Sequence, residues 1–345
     1  MRIYQFVIGI RDGDGVSACV LSIDTIIRNA GLLSKIATLN NGVVDSKRHE
    51  IEEVASFKDV CIKEDDIIMY HFAGPAKEIS ILEKLKCHKI LVFHNITTPS
   101  LVRNIDWNLY KYVSVGVEEI KYTHKNFNRV ICLSEYSKRD LVDNGWREDR
   151  VDVIPIVSLN EVKEEPNVKL ISEYDQEKQI FLFVGRMVPN KKIQDVIKSF
   201  AEYQRKYNAD AFLILVGSLA FKSYYERLQQ YIEDNQIKNV VFTGKVSQTD
   251  LEAYYQLAGA YICMSEHEGF CIPILEAFQR EVPVIAYAAT AVPDTMGGAG
   301  VLVEEKNYAV IADKMYKICS DSDYRNTIIR NQKKRVSVFQ LDNFS

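Results

Sequence analysis

No apolar stretch in this 345-residue chain reaches the ~18 residues that would suggest a membrane-spanning helix. Neither half carries an excess of positive charge: residues 1–160 hold 21 Lys/Arg against 22 Asp/Glu, and the remainder 22 against 25, for a net charge of −4. A chain without a basic half lacks the electrostatic footprint of a nucleic-acid binder. The seven cysteines (Cys19, Cys61, Cys87, Cys132, Cys263, Cys271 and Cys319) are odd in number, show no close pairing and mostly occupy apolar runs. That speaks against a disulfide framework and for a reduced, cytoplasmic protein. None of the six histidines stands at metal-ligand spacing, which argues against zinc. The opening "MRIYQFVIGIRDGDG" has a lone Arg2 before its apolar run and reads as a first strand rather than a leader.

What the chain does have is alternation. "RIYQFVIG" precedes a helical pattern from Val16 to Asn29, then "KIATLN" (35–40), "DIIMYHF" (66–72), an amphipathic stretch at 76–86 and "KILVFH" (89–94). "RVICLS" (129–134), a helix over 135–143 and "VDVIPI" (151–156) close this half. Short continuous apolar strands between helices predict a parallel sheet covered on both faces. The polar stretch 161–179, with its proline, is the linker. Alternation then restarts with strands at 180–185, 211–217, 240–244, 260–265, 283–287 and 300–303, and helices at 191–206, 220–234, 248–257 and 273–280. The length suits two domains, with boundaries at 1–160 and 180–325 and a helical tail over 326–345. Ligands of such sheets bind beyond the carboxyl ends of the strands, so the expected site is the cleft between two doubly wound α/β domains.

Two strand ends carry chemistry. Strand 180–185 runs into "GRMVPNKK", placing Arg186 and Lys191 around a turn, with Lys191 at a helix start. A cation there opposes the helix dipole, which makes sense if an anion also sits there. Strand 260–265 runs into "SEHEGFCIPILEAF", where a helix beginning near Pro273 aims its free N–H groups over the 268–272 loop. Gly269 lets backbone approach a ligand, so loop and helix start form a phosphate site. Glu276 in the first helical turn and Glu268 across the loop flank that site. Carboxylates beside phosphates suit neighbouring hydroxyls, and two of them around a diphosphate match the layout of a nucleotide sugar.

At these residues the chain resembles a known family. "EGFCIPILE" is similar to the Glu-x7-Glu motif of family 4 retaining glycosyltransferases, and "TGKVSQTDLEAYYQLAGAYICMSEHEGF" and "PVIAYAATAVPDTMGGAGVLV" follow that family's pattern. "FVGRMVPNKK" resembles its Gly-Arg-x4-Lys segment and "LILVG", ending at Gly217, its next strand. "VFHNITTPS" and "RVICLSEYSKRDL" resemble upstream segments. The resemblance implies a GT-B fold, two Rossmann-like domains facing an interdomain cleft, with the donor bound mainly by the second. Arg186 and Lys191 would then bind the donor diphosphate, Glu276 the ribose and Glu268 the transferred sugar. The Phe270–Cys271–Ile272 backbone would face sugar and phosphate beside Gly269, with Gly217 on the donor side. His94 would lie beside the reacting sugar, and Gly13 to Gly15 would form the loop on the N-terminal side. Cys271 stands where the family usually has a second glycine, Lys192 where it commonly has one, and Asp294 where Glu is frequent. The Cβ of Cys271 is expected to keep that loop out of a glycine-only conformation. The tail stops where relatives usually add a helix returning to the first domain.

The expected activity is sugar transfer from a UDP- or GDP-linked donor to a hydroxyl acceptor, a glycan or a lipid-linked sugar, in polysaccharide or glycoconjugate synthesis. A non-catalytic GT-B scaffold and a GT-B sugar-nucleotide epimerase are the alternatives. No cofactor or metal is expected, because Arg186 and Lys191 supply the counter-charge; "DGD" at 12–14 only mimics an Asp-x-Asp metal site. "EDD" at 64–66 reads as a solvated turn, and "NQKKR" at 331–335 as a solvated helix face that could touch anionic lipid at the inner membrane face. His71 and His267 are further histidines near strand ends.

Overall fold

The computed structural model describes residues 1–11, 13–42, 50–75, 78–155, 164–174 and 179–339. The chain divides into two compact units, Met1–Ser158 with Phe339–Ser345, and Leu159–Val338. Among the described residues no helix is long and apolar enough to cross a membrane.

The first unit runs β1 (Ile3–Val7), β2 (Ile10–Arg11), α1 (Gly15–Asn29), β3 (Ser34–Thr38), β4 (Asn41–Gly42), β5 (Ile51–Glu53), β6 (Ile67–Phe72) and α2 (Ile79–Glu83). It continues with β7 (His88–Phe93), α3 (Trp107–Thr123), β8 (Arg129–Cys132), α4 (Glu135–Asp143) and β9 (Val151–Val153). Its main sheet has the order β5-β3-β1-β6-β7-β8-β9, parallel throughout. Every residue of β1 is buried, as expected of a strand covered on both faces, yet one of them is the polar Gln5. Helix α3 has no counterpart in the sequence reading. Its apolar residues include β-branched and aromatic ones on its exposed side (Trp107, Tyr112, Val115, Tyr122), which blurs the helical period.

The "EDD" expectation needs correction. Asp66 is buried rather than solvated, and its carboxylate accepts from the Arg2 guanidinium at 2.6 and 3.1 Å and from the backbone N–H groups of Arg2 and Lys63. The hydrogen bonds from Arg2 hold its pKa down at about 2. Asp66 thereby ties the start of β6 to the start of β1.

The second unit runs α5 (Val168–Glu173), β10 (Ile180–Val184), α6 (Ile193–Lys206), β11 (Phe212–Val216), α7 (Lys222–Asp234), β12 (Val240–Gly244), α8 (Gln248–Leu257) and β13 (Ala260–Cys263). It ends with α9 (Ile272–Gln279), β14 (Val284–Tyr287), α10 (Val292–Met296), β15 (Val301–Val303), α11 (Tyr308–Ser320) and α12 (Ser322–Val336). The sheet order is β12-β11-β10-β13-β14-β15, again all parallel. Strand order reverses between β10 and β13, the switch point where doubly wound sheets leave a crevice. Within the stretch read as a linker, α5 is docked on the second unit: Asn167 donates to Thr249 O at 3.0 Å and to Asp250 at 2.7 Å. The "NQKKR" face is also not wholly solvated. Gln332 is buried against the backbone of Val282 and Val284, and the Arg335 guanidinium caps the carbonyls of Thr295 and Asp294.

Candidate functional site

The two strand ends singled out in the sequence meet at the β10/β13 switch point. Beyond β10, Pro189–Lys191 forms a 3-10 turn; beyond β13, residues 264–271 form a loop that ends in α9. Four contacts stitch turn to loop. The Asn190 side chain donates to His267 O (3.1 Å), the Glu266 N–H donates to Asn190 O (2.8 Å), Lys192 pairs with Glu266 (2.8 Å), and Lys191 pairs with Glu268.

The last contact changes the picture drawn from sequence. Lys191 Nζ lies 2.6 and 2.7 Å from the two carboxylate oxygens of Glu268, and the two side chains are only 19% and 7% exposed. An anion was expected beside Lys191, and the structure supplies one from the chain itself. Burial alone would lower the lysine's pKa, but the adjacent carboxylate more than offsets it and the net shift is upward. Lys191 therefore stays charged, with one N–H left over from its grip on Glu268. Arg186, by contrast, is exposed, and no described side chain pairs with it.

The loop is pinned from its other side as well. The Glu268 N–H donates to Thr290 Oγ1 at 2.8 Å, and the Thr295 hydroxyl donates to Phe270 O. Cys271 caps α9 in the left-handed region (φ +73°, ψ +63°) and makes no side-chain cap bond. This corrects the expectation that its Cβ would bar a glycine-like backbone. The left-handed region costs an L-residue about 1–2 kcal/mol rather than excluding it, and the burial of Cys271 and its pinned neighbours hold it there. Lys192, at the other site usually held by glycine, is left-handed too (φ +50°). No side chain caps α9, but Pro273 has no N–H and the Ile274 N–H donates to Cys271 O at 3.1 Å, so the helix start leaves the Ile272 N–H, beside Gly269, for an anion.

Helix α9 starts at Ile272, so Glu276 falls in its second turn and not, as expected, its first. There its carboxylate accepts from Tyr255 Oη at 3.1 Å, and burial raises its pKa. Arg280 stacks over Tyr255 with 4.7 Å to the ring centroid and pairs with Glu252 through Nε at 2.7 Å. Tyr255, Glu252 and Arg280 were not singled out from sequence; they lie one helix away or one turn on, with no motif to mark them. Gly217 has a structural reason of its own: a Cβ there would stand 1.9 Å from Gly185 O, so β10 and β11 could not approach as they do.

In the first unit, Gly13 is left-handed (φ +80°) and Gly15 opens α1, whose N-cap is Asp14. Asp14 accepts from Ser17 N–H at 3.0 Å and from its hydroxyl at 2.7 Å, so it is a helix cap. Asp12 lies outside the described residues. His94 follows β7 and pairs with His71, Nε2 to Nδ1 at 2.9 Å, and the other ring nitrogen of His71 meets the Gln5 amide, also at 2.9 Å. Burial lowers the pKa of His94 to about 4 and holds that of His71 well below its ordinary value, so both rings are neutral near pH 7.

Among the described residues, two side-chain groups bring metal-ligand atoms together: Cys19 with His71 and His94, and Cys263 with Glu268 and Cys271. In each, most of these atoms already have internal partners. The two imidazoles bond to each other, Glu268 is neutralised by Lys191, and the Cys263 and Cys271 sulfurs lie 3.9 Å apart. A cavity of about 400 Å³ lined by Glu252, Tyr255, Arg280 and Arg325 lies beside this region but includes none of the residues expected from sequence.

Residues 165–335 match the family described as Glycosyl transferases group 1. Over 218 residues the chain is 31% identical to the capsular polysaccharide biosynthesis glycosyltransferase CapM of Staphylococcus aureus, covering 60% of this chain and 56% of that one. Over 170 residues it is 35% identical to the O-antigen chain mannosyltransferase RfbU of Salmonella typhimurium, covering 48% and 44%. The chain thus spans about half the length of these curated relatives. Among solved structures, that of Anabaena Alr3699/HepE in complex with UDP and glucose is similar with a TM-score of 0.75 at 17% identity, covering 98% of this chain and 95% of that one. At that identity the likeness establishes the fold, which is GT-B with two Rossmann-like units.

Proposed function

Because residues 165–335 make up a domain of the glycosyl transferases group 1 family, we propose that this chain is a retaining glycosyltransferase of the cytoplasm. It would take a sugar from a UDP- or GDP-linked donor to a glycan or lipid-linked hydroxyl in polysaccharide or glycoconjugate synthesis. The observation that carries this reading is the switch point of the second unit. There Lys191 grips Glu268 with one N–H to spare, beside the loop that leads into α9; in this reading that N–H, Arg186 and the Ile272 N–H would hold a diphosphate flanked by Glu268 and Glu276. Glu276, already accepting from Tyr255, accepts from the ribose hydroxyls; Glu268, held by Lys191, accepts from hydroxyls of the transferred sugar. The family resemblance assigns His94 to the reacting sugar, where a neutral imidazole donates a hydrogen bond without opposing positive charge at the anomeric carbon.

Transfer proceeds on one face. The acceptor oxygen forms its bond to the anomeric carbon as the bond from that carbon to the phosphate oxygen breaks. The acceptor's proton passes to the departing phosphate, and configuration is retained. Charge on the leaving diphosphate is balanced by fixed protein cations and the Ile272 N–H at the helix start rather than a metal. The test is incubation with UDP- and GDP-linked sugars in EDTA, reading product stereochemistry by NMR, with calorimetry of nucleotide binding to wild type and Glu276→Ala. Retained configuration in EDTA and about 1.5–3 kcal/mol weaker binding by Glu276→Ala are expected. An inverted product, a requirement for magnesium, or unchanged nucleotide affinity in the variant would each overturn the corresponding assignment.

A further inference from the structure

The pairing registers put three polar side chains on one face of the first sheet. Gln5 of β1 stands opposite Met69 of β6, and His71 is two residues on, hence on the same face. His71 stands opposite Val92 of β7, and His94 is again two residues on. Each step moves one strand across and two residues towards the carboxyl ends, leading from the buried Gln5 to the half-buried His94. The two imidazole centroids are 5.2 Å apart with planes within 20°. That is the separation of two coplanar rings meeting nitrogen to nitrogen at 2.9 Å, with one proton between them. A shared metal would need the two lone pairs bent towards a third point, so the head-on geometry is that of a hydrogen bond.

The direction of this chain follows from Gln5. With the amide oxygen against His71, the amide nitrogen is buried with no partner, stranding both of its N–H groups. Turned over, the amide spends one N–H on His71 Nε2 and leaves its oxygen and one N–H unpaired in place of two N–H groups, the cheaper of the two arrangements. His71 Nε2 is then an acceptor, so its Nδ1 carries the proton and donates to His94 Nε2. His94 in turn carries its proton on Nδ1, the nitrogen to which no described group is bonded.

We propose that Gln5 and His71 are positioning residues for sugar transfer: they fix the tautomer and ring orientation of His94, so that its Nδ1–H is presented as a neutral hydrogen-bond donor to a hydroxyl of the transferred sugar. The role for His94 rests on the transferase reading above; the direction of the relay does not. Two substitutions separate donation by His71 from its bulk. His71→Asn keeps an amide N–H near the place of Nδ1, whereas His71→Leu fills similar space without a donor. In His71→Leu, kcat should fall about 10- to 100-fold, the size typical when a partner orienting an imidazole is lost. The KM for donor should stay within about twofold, and His71→Asn should recover most of the rate.

Nitrogen-15 NMR of the histidine rings provides a readout that needs no turnover. Wild type and His71→Asn should show His94 neutral with its proton on Nδ1, and His71→Leu should show a mixture of tautomers. Nucleotide affinity, a property of the second unit, should be unchanged in both variants, and the thermal transition of the first unit reports that they are folded. A proton on Nε2 of His94 in wild type would overturn the relay whether or not the chain transfers sugar. Equal rate losses in His71→Leu and His71→Asn, or none in His71→Leu, would overturn the positioning role. Wild-type turnover by His94→Ala would instead remove His94 from the reaction and leave the NMR result to decide the relay alone.

Discussion

Lys191→Ala should destabilise the second unit far more than the loss of a surface lysine would. The Lys191–Glu268 pair is bidentate at 2.6 and 2.7 Å, and its carboxylate side chain is 7% exposed. Removing the lysine strands a buried carboxylate, which costs about 3–5 kcal/mol, whereas an exposed pair is worth about 0–1 kcal/mol. For a folding unit of this size, about 2–4 °C of Tm accompanies each kcal/mol, so the transition should drop by roughly 6–20 °C. The double variant Lys191→Ala/Glu268→Ala removes the stranded charge along with its partner and should recover much of that loss. A positive coupling of about 0.5–3 kcal/mol should emerge from the four-member cycle. Denaturant unfolding of wild type, both single variants and the double variant measures it directly. A Lys191→Ala protein within 1 kcal/mol of wild type, or a double variant no better than that single one, would refute the buried pair. On the proposed function the cycle also bears on catalysis, because a turnover loss in Lys191→Ala would combine a missing phosphate ligand with a carboxylate turned repulsive towards the diphosphate. The double variant separates the two: partial recovery of nucleotide affinity relative to Lys191→Ala isolates the repulsion.

Lys192→Gly should raise Tm slightly, because it relieves a left-handed backbone worth about 1–2 kcal/mol and gives up a partly exposed pair with Glu266 worth about 0–1 kcal/mol; a net loss above 1 kcal/mol would show that the Glu266 contact dominates. Stability of the first unit should fall as pH drops through the window from 6.5 to about 4, since the pKa of His94 is about 4 folded against 6.5 unfolded and the unfolded chain binds the extra proton. The slope from this residue is at most about 1.4 kcal/mol per pH unit, and His94→Asn should flatten it; an unchanged slope in that variant would place the titration elsewhere.

Much of the fold was legible because parallel strands buried on both faces read as continuous apolar runs, and "IFLFVG", "AFLILVG" and "AYICMS" are such runs. Helix α3 was not, since its apolar residues include the exposed Trp107, Tyr112 and Tyr122 and so carry no clean period. The site was legible as two strand ends, each with its cations or acids, but not as a pair. Lys191 and Glu268 are 77 residues apart, and only the crossover that sets β10 beside β13 brings them within bonding distance. Left-handed Cys271 and Lys192 were hidden for another reason: residue type gives the cost of that backbone, while the packing that meets the cost is tertiary.

The histidine relay marks the boundary between what a sequence conceals and what it states indirectly. A strand covered on both faces has no room for an unpaired polar side chain, because an unmet buried amide costs about 1–3 kcal/mol. Gln5 in "IYQFV" breaks an otherwise apolar strand and therefore demands a partner. The partner must come from the same sheet face or from the helix above it. His71 is the one histidine within β6, the strand that pairs with β1 on the side away from β3, and the register puts it on the face of Gln5. His94 then follows by the same step on β7. What the sequence withholds is the register itself: shifted by one residue, His71 would face the opposite side of the sheet and Gln5 would have no partner in it. The relay is thus as specific as the strand pairing that builds it.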